Sequence, residues 1–330
     1  MPLRILIYLI IFTLCAALPT WGVELTPFSV RNLSPPALIK SLPVAESVCL
    51  NQPRQFSVRF GFDISNVATD NDWAEQEEIV LDGEIYVVTL GLRYGLAKHL
   101  EIGFDLPWVF QNSGSLDNFI ENFHDFFGLP NSDRNNMSNN KINYTYTNND
   151  GNNFLLDHDT NSIGDIRLLA AWQWLDTEQT AARLQAWIKT PTGDSDKLTG
   201  SGGWDFSLSL SLQRNFILEK GSASLWGGFG GSWLDDGDVL PGRAENWVVS
   251  GWMGAGWSPL SWFGLKLQFD SHSALYDSQL RELGRTAMML TIGGTLGLGD
   301  ATVLDIGVGE DLASHTSPDM VFLLNLNHKF

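Results

Sequence analysis

The sequence predicts an all-β fold: a transmembrane antiparallel β-barrel of about 12 strands, on three observations. Apolar and polar residues alternate with period two over segment after segment. The segments are joined alternately by short turns and by longer polar stretches. The chain closes on an alternating strand, VFLLNLNHKF, that ends in Phe. Alternation gives a strand one apolar and one polar face, and about nine to thirteen residues is the length a tilted strand needs to cross a bilayer.

The 330 residues are 44% hydrophobic but only 18% charged, with 32 Gly and 13 Trp, which fits β structure with an apolar outer surface better than a soluble acidic enzyme. Lys and Arg number 20 against 38 Asp and Glu. That balance argues against nucleic acid, whose phosphates need a basic face. Two cysteines exclude a disulfide scaffold and a Cys₄ metal site, and no cofactor is expected.

Residues 1–22 read as a signal peptide, with Arg4 as its positive region and Ile5 to Ala17 as an apolar stretch too short to span a bilayer. Cleavage is expected near Ala17 or Gly22. It removes Cys15 and leaves Cys49 as the one thiol. The mature chain then divides into a Pro-rich segment, 23–54, and a barrel, 55–330. Pro27, Pro35, Pro36, Pro43 and Pro53 oppose regular structure in 23–54, which is expected to fold into the lumen as a plug or to lie in the periplasm.

The first strand places Phe56, Val58, Phe60, Phe62 and Ile64 on one face. Tyr86 to Tyr94 and Leu100 to Trp108 repeat the pattern, followed by Ile166 to Trp174 and Ala182 to Ile188. Trp204, Phe206, Leu208, Leu210 and Leu212 alternate with Asp205, Ser207, Ser209, Ser211 and Gln213, the clearest case in the chain. Further strands are expected over 222–233, 246–257, 263–272, 285–298, 302–311 and 319–330. Short turns fall near 95–99, 175–179, 215–221, 258–262 and 299–301. Longer polar stretches fall near 67–77, 109–161, 191–203, 235–245, 273–284 and 312–318. Outer-membrane barrels pair short periplasmic turns with long external loops, which places this chain in the bacterial outer membrane. Trp108, Trp174, Trp204, Trp233, Trp247, Trp257, Trp262, Tyr86 and Tyr94 fall near strand ends, where aromatic belts form.

Within the long external loop 109–161, Leu116, Phe119, Ile120, Phe123, Phe126 and Phe127 have helical spacing, and Gly128 with Pro130 stops the helix. The Asn-rich stretch after it reads as an exposed loop.

The string DNFIENFHDFFGLPNSDR, with Phe119, Ile120, His124, Gly128, Leu129, Pro130 and Arg134, resembles the signature of an uncharacterised proteobacterial outer-membrane family. SVRNLSPPALIKSLP, through Val30, Arg31, Asn32, Pro35 and Pro43, is similar to it as well, as are GDIRLLA at 164–170 and PTGDSDKLTGSGGWD at 191–205. GDIR and PTGD are also similar to strings in outer-membrane transporters associated with phenol meta-pathway degradation. The resemblance implies fold and location and supplies no activity. The terminal Phe330 resembles the signal read by the barrel-assembly machinery, an expected partner together with outer-membrane lipid and lipopolysaccharide.

Strand parity assigns an inward set: Arg59, Asp63, Arg93, Glu101, Asp105, Asp165, Arg167, Arg183, Lys189, Asp205, Lys266, Asp270, His272 and Asp305, with Trp187, Trp226 and Trp252. These are the candidate channel-lining and ligand residues. The charged members suit either a salt-bridged wall or a charged constriction, and the inward tryptophans are expected to narrow the lumen. A small, amphipathic or hydrophobic solute is the partner such a path suits. The alternative is a non-conducting interaction barrel acting through 109–161. Third is a membrane-surface hydrolase. Asp270 and His272 share a face and suggest an acid–His pair, but no nucleophile motif such as GxSxG accompanies them, so no catalytic residues and no enzyme activity are expected. A metal site is not assigned, although His124 and the acidic loops Asp235, Asp236 and Asp238 or Asp194 and Asp196 carry ligand chemistry.

Overall fold

A computed structural model describes residues 23–330 except 75, 115–140, 150, 152 and 314. Segment 1–22, expected as a signal peptide, and the loop residues Phe119, Ile120, His124, Gly128, Pro130 and Arg134, with the helix expected there, lie outside the described residues.

The architecture is a closed antiparallel barrel of 12 strands. Its first three strands are β1 (Phe56–Ala74), β2 (Glu77–Ala97) and β3 (Leu100–Asn112). Three short strands follow in the long loop: β4 (Asn143–Asn148), β5 (Asn153–Leu156) and β6 (Thr160–Ile163). The wall resumes with β7 (Arg167–Asp176), β8 (Thr180–Lys189), β9 (Asp205–Ile217) and β10 (Ser222–Leu234). It continues through β11 (Trp247–Leu260), β12 (Phe263–His272), β13 (Ala287–Gly297), β14 (Thr302–Asp311) and β15 (Met320–Lys329). Wall neighbours follow chain order, with β3 meeting β7, and the seam closes by pairing β1 with β15 from Ser57↔Lys329 to Asn66↔Met320. Closure leaves no wall edge, so each spanning strand satisfies its backbone groups in lipid. No helix among the described residues is long and apolar enough to cross a membrane; this chain crosses with strands. A closed barrel with an apolar exterior and a polar lumen is the architecture of outer-membrane barrels.

The alternation in the sequence is the alternation of surroundings. Along β9, Asp205, Ser207, Ser209 and Ser211 are buried towards the lumen, while Phe206, Leu208 and Leu212 are exposed on the outside. Trp174, Trp257, Trp262 and Tyr94 are exposed near the short-turn rim, and Trp108, Trp204 and Trp247 near the other. Phe330 stacks on Phe56 across the seam with centroids 4.4 Å apart.

Two stretches expected as loops are hydrogen-bonded strand. Residues 67–77 extend β1 and β2 into a hairpin whose register runs on to Ala74↔Glu77, with a shift between Thr69 and Asp72. Its polarity reflects projection past the apolar band, where both faces meet water or other loops. Within 109–161, β3 continues to Asn112, β4 pairs with the far end of β2, and β6 pairs with β3. The Asn-rich stretch therefore contributes β4, whose Tyr144 and Tyr146 are fully buried.

The Pro-rich segment 23–54 runs inside the barrel. Its one regular element is the single-turn helix α1 (Pro35–Leu38), where two prolines stand in the first turn, the place a helix tolerates them. A second single turn, α2 (Arg281–Gly284), lies in the loop between β12 and β13. The main cluster of buried apolar side chains sits towards the long-loop rim, where Leu33 and Ile39 of the segment join Leu198, Leu240, Tyr276, Leu283 and Tyr144 of the loops and the extended hairpin.

Candidate lumen site

Residues 23–54 form a hairpin path through the lumen. Glu24 pairs with Lys329 at 2.9 Å, and the Arg54 amide donates to the Gly95 carbonyl at 2.8 Å. Both contacts lie at the short-turn rim, the periplasmic one. Between them the chain reaches the opposite rim, where the Tyr276 hydroxyl donates to the Pro36 carbonyl at 2.8 Å and Lys40 donates to the carbonyls of Asp235 and Asp236. Prolines leave this segment short of backbone partners of its own, and wall side chains supply them.

Three sets of wall residues hold the path. Nearest the periplasm, the Gln268 amide binds the Phe28 backbone at both its N–H and its carbonyl, each 2.8 Å, and Gln213 donates to the Leu25 carbonyl. Lys266 bridges Asp305 at 2.6 Å and the Thr26 carbonyl at 3.0 Å, with Phe28's ring 3.9 Å from its ammonium. Towards the outer rim, Asp205 accepts from the Ser41 amide at 2.8 Å and lies 3.4 Å from Lys189. The hydroxyls of Ser207 and Ser232 both donate to the Ser41 carbonyl.

The third set is a buried charge cluster. Asp105, fully buried, meets Arg59 at 2.8 Å, Arg93 at 3.0 Å, Arg31 at 3.7 Å and Arg167 at 3.8 Å. Glu46 of the segment bridges two wall guanidiniums, Arg93 through Oε1 at 2.8 Å and Arg183 through Oε2 at 2.9 Å. Burial works against the Glu46 carboxylate, but Arg93 and Arg183 overcome it and hold the group well below the usual carboxylate range. Arg183 also donates to the Ser47 carbonyl and to Gln185, and Arg93 lies over the Trp187 ring, 5.1 Å from its centroid. A cavity of about 120 Å³ opens beside this cluster, lined among others by Glu46, Cys49, Arg59, Arg93 and Arg183. Smaller cavities of about 50 and 20 Å³ flank the segment higher up, the first beside Asp270 and His272, the second beside Asp63 and Arg167.

Asp165 and Glu101 have structural partners, whereas a buried carboxylate oxygen of Asp63 has no hydrogen-bond partner among the described residues. Asp165 accepts from Lys189 at 2.7 Å, from the Gly193 amide at 2.8 Å and from the Ser201 amide at 3.1 Å. The GDIR and PTGD strings therefore meet in space, with the first string's aspartate tethering the second's loop. A Cβ on Gly200 would stand 2.5 Å from Asp165 Oδ1. Glu101 accepts from the backbone and side chain of Asn51.

Two expectations need correction. Trp226 and Trp252 do face inwards, but each indole covers a glycine on the neighbouring strand: Trp226 lies opposite Gly254 and Trp252 opposite Gly228. A Cβ on Gly254 would overlap the Trp226 ring, and one on Gly228 would lie 2.5 Å from Trp252. The rings are drawn against the wall, and segment 23–54 fills the lumen instead. The Asp270–His272 pairing is also absent among the described residues. Asp270 accepts from Gln268, whereas His272 Nδ1 is 2.8 Å from the Ser273 carbonyl and Nε2 is 3.0 Å from the Asn32 amide nitrogen. With Nδ1 donating and Nε2 accepting, both ring nitrogens are engaged.

The acidic loops turn their carboxylates onto their own backbone. Asp235 accepts from the amides of Trp204 and Asp236, Asp236 from those of Gly242 and Ala244, and Asp194 pairs with Lys197 at 3.0 Å. Among the described residues no cluster of three metal-ligating side chains occurs. Sequence reasoning missed Glu46, Lys40, Ser41, Gln213 and Gln268. Parity alone would have placed Gln213 and Gln268 inside.

The profile of a family described as a protein of unknown function, DUF3187, matches residues 5–330. Among solved structures, the chain is similar to the COG4313 outer membrane channel from Pseudomonas putida F1, at 14% identity and a TM-score of 0.57, covering 93% of this chain and 100% of that one. It is also similar to the toluene transporter TodX of Pseudomonas putida, at 9% identity and a TM-score of 0.37, over 94% and 99% of the two chains. No curated protein sequence matches it.

Proposed function

We propose, from the premise that this chain belongs to the DUF3187 family and is an outer-membrane barrel, that it passes or binds a small, amphipathic or hydrophobic solute, with residues 23–54 as a removable plug. The observation that carries this reading is the hairpin path of 23–54. A segment held by side-chain bonds, with both ends at the periplasmic rim, can be withdrawn as a loop while the wall keeps its complete backbone ladder. The fold it shares with an outer-membrane channel is consistent with passage. The inward set from Arg59 to Asp305 then lines the path once the plug has moved. In this reading Phe330 is the contact for the barrel-assembly machinery, and the exposed aromatic rims meet lipid and lipopolysaccharide. A hydrolase reading draws no support from His272, whose two nitrogens are both engaged.

The test locks the plug in the full mature chain. The Ser207 hydroxyl donates to the Ser41 backbone carbonyl at 2.9 Å, which brings the two residues side by side, and Ser41→Cys with Ser207→Cys, in a Cys49→Ser background, is designed to join plug to wall. Single-channel recordings in planar bilayers should give conductance steps in the reduced protein and none in the oxidised one. Silence in both forms, with folding verified by heat-modifiable migration, would refute the channel and favour an interaction barrel acting through 109–161.

A further inference from the structure

The lumen wall around Glu46 aims two guanidiniums at one carboxylate. Arg183 is almost fully buried, and among the described residues its ion-pair partner is Glu46 alone. Arg93 divides itself between Glu46 and Asp105. The wall's own carboxylate, Asp105, already faces Arg59, Arg93 and Arg167, so it has nothing left for Arg183. When the plug leaves, Glu46 leaves with it: Arg183 loses its ion-pair partner and Arg93 keeps only Asp105. With the segment gone these guanidiniums line the open lumen, where another carboxylate is the group that best replaces Glu46. A neutral solute supplies no such charge, and a cation is repelled by Arg93 and Arg183 themselves.

The surroundings specify the rest of the ligand. On one side of Glu46, Ala45 packs against Trp226 and Trp252; beyond it, Leu50 packs against Leu169, Ala171 and Trp187. The plug thus presents a carboxylate between apolar groups, and the wall answers with an arginine pair between aromatic patches. Guanidinium groups recognise carboxylates through paired, charge-assisted hydrogen bonds.

We infer that the solute class is small organic monocarboxylates with an apolar or aromatic body, and that Glu46 occupies their place while the plug is docked. The inference rests on the gating reading and narrows it. Solute and plug compete for Arg93 and Arg183, so the correct ligand favours the open state by replacing the contact that holds it shut.

Benzoate and its neutral analogue benzamide are the probes, titrated calorimetrically into the full-length protein in detergent. Glu46→Gln weakens the internal competitor and should tighten benzoate binding by about tenfold, leaving benzamide unchanged. Arg183→Gln should abolish the preference for benzoate, and Arg183→Lys, which keeps the charge and loses the fork, should restore part of it; heat-modifiable migration verifies that each variant folds. Equal binding of the two probes to wild type and Glu46→Gln would overturn the carboxylate class. If conductance responds to the Ser41–Ser207 lock but benzoate gains nothing, the gate stands and the ligand class falls. If benzoate is preferred but the lock changes nothing, the arginine site stands and the gate falls.

Discussion

Replacing Asp105 with Asn tests whether the charge cluster is a buried unit. The side chain is fully buried, with four guanidiniums between 2.8 and 3.8 Å away. Asn keeps the shape and one acceptor oxygen but removes the only charge that all four share. At an effective dielectric constant of about 20, each contact at these distances is worth on the order of 4–6 kcal/mol before desolvation is subtracted. Desolvation offsets most of that sum, and removing one partner of a buried ion pair typically costs about 3–5 kcal/mol. With a urea dependence of about 3 kcal/mol per molar, the upper end for small proteins and apt for a chain of this size, the midpoint should fall by roughly 1–1.7 M. The assay is equilibrium urea unfolding in detergent micelles, followed by tryptophan fluorescence and by heat-modifiable migration. Because Arg31 belongs to the plug, Asp105→Asn combined with Arg31→Met should cost less than the sum of the two single changes. A midpoint within about 0.3 M of wild type would refute the reasoning, since water in the lumen would then be screening the cluster.

Three further outcomes are expected. Glu46 has its carboxyl lowered by Arg93 and Arg183 from the ordinary 4.5, so its contribution to plug docking is complete above that value and is lost only as pH falls through the lower folded value; protease protection of 23–54 should hold from pH 7 to 4.5, decline below it, and lose much of that decline in Glu46→Gln. Gly254→Val places side-chain atoms where the Trp226 ring lies and should destabilise the barrel by about 1–3 kcal/mol through overpacking, read as a lowered urea midpoint; an unchanged midpoint would mean that the indole has another place to go. Lys329→Ala breaks an exposed ion pair with Glu24, and its midpoint should move by less than the equivalent of about 1 kcal/mol, as surface pairs do.

The barrel is legible in the sequence because lipid and lumen are opposite solvents on the two faces of every strand. The alternation of Phe206, Leu208 and Leu212 with Ser207, Ser209 and Ser211 records that directly. The hairpin over 67–77 was legible only as polar chain, since a strand that leaves the membrane band loses the contrast between its faces, and only pairing such as Ala68↔Asp82 marks it as strand. The plug is hardest to read. Its prolines erase local periodicity, and its structure comes from partners far along the chain, such as Gln213 for Leu25 and Gln268 for Phe28. Those partners are uncharged amides, which carry little weight in a sequence searched for charge and metal chemistry. Strand parity assigns Arg93 and Arg183 to one interior, but no pattern in the sequence announces that Glu46 stands between them.

The return of segment 23–54 to the rim where it begins has a consequence for folding order. Seam closure joins residues 57 and 329, a contact of very long sequence separation and therefore slow to find. Docking of the segment needs no chain end to pass through the finished ring, because a bight can enter a closed cylinder from one side. The two events are thus free to be separate cooperative units. Amide hydrogens of α1 and its neighbours would exchange with one opening free energy and those of the wall with a higher one, so the interior of the barrel would come apart before its staves do.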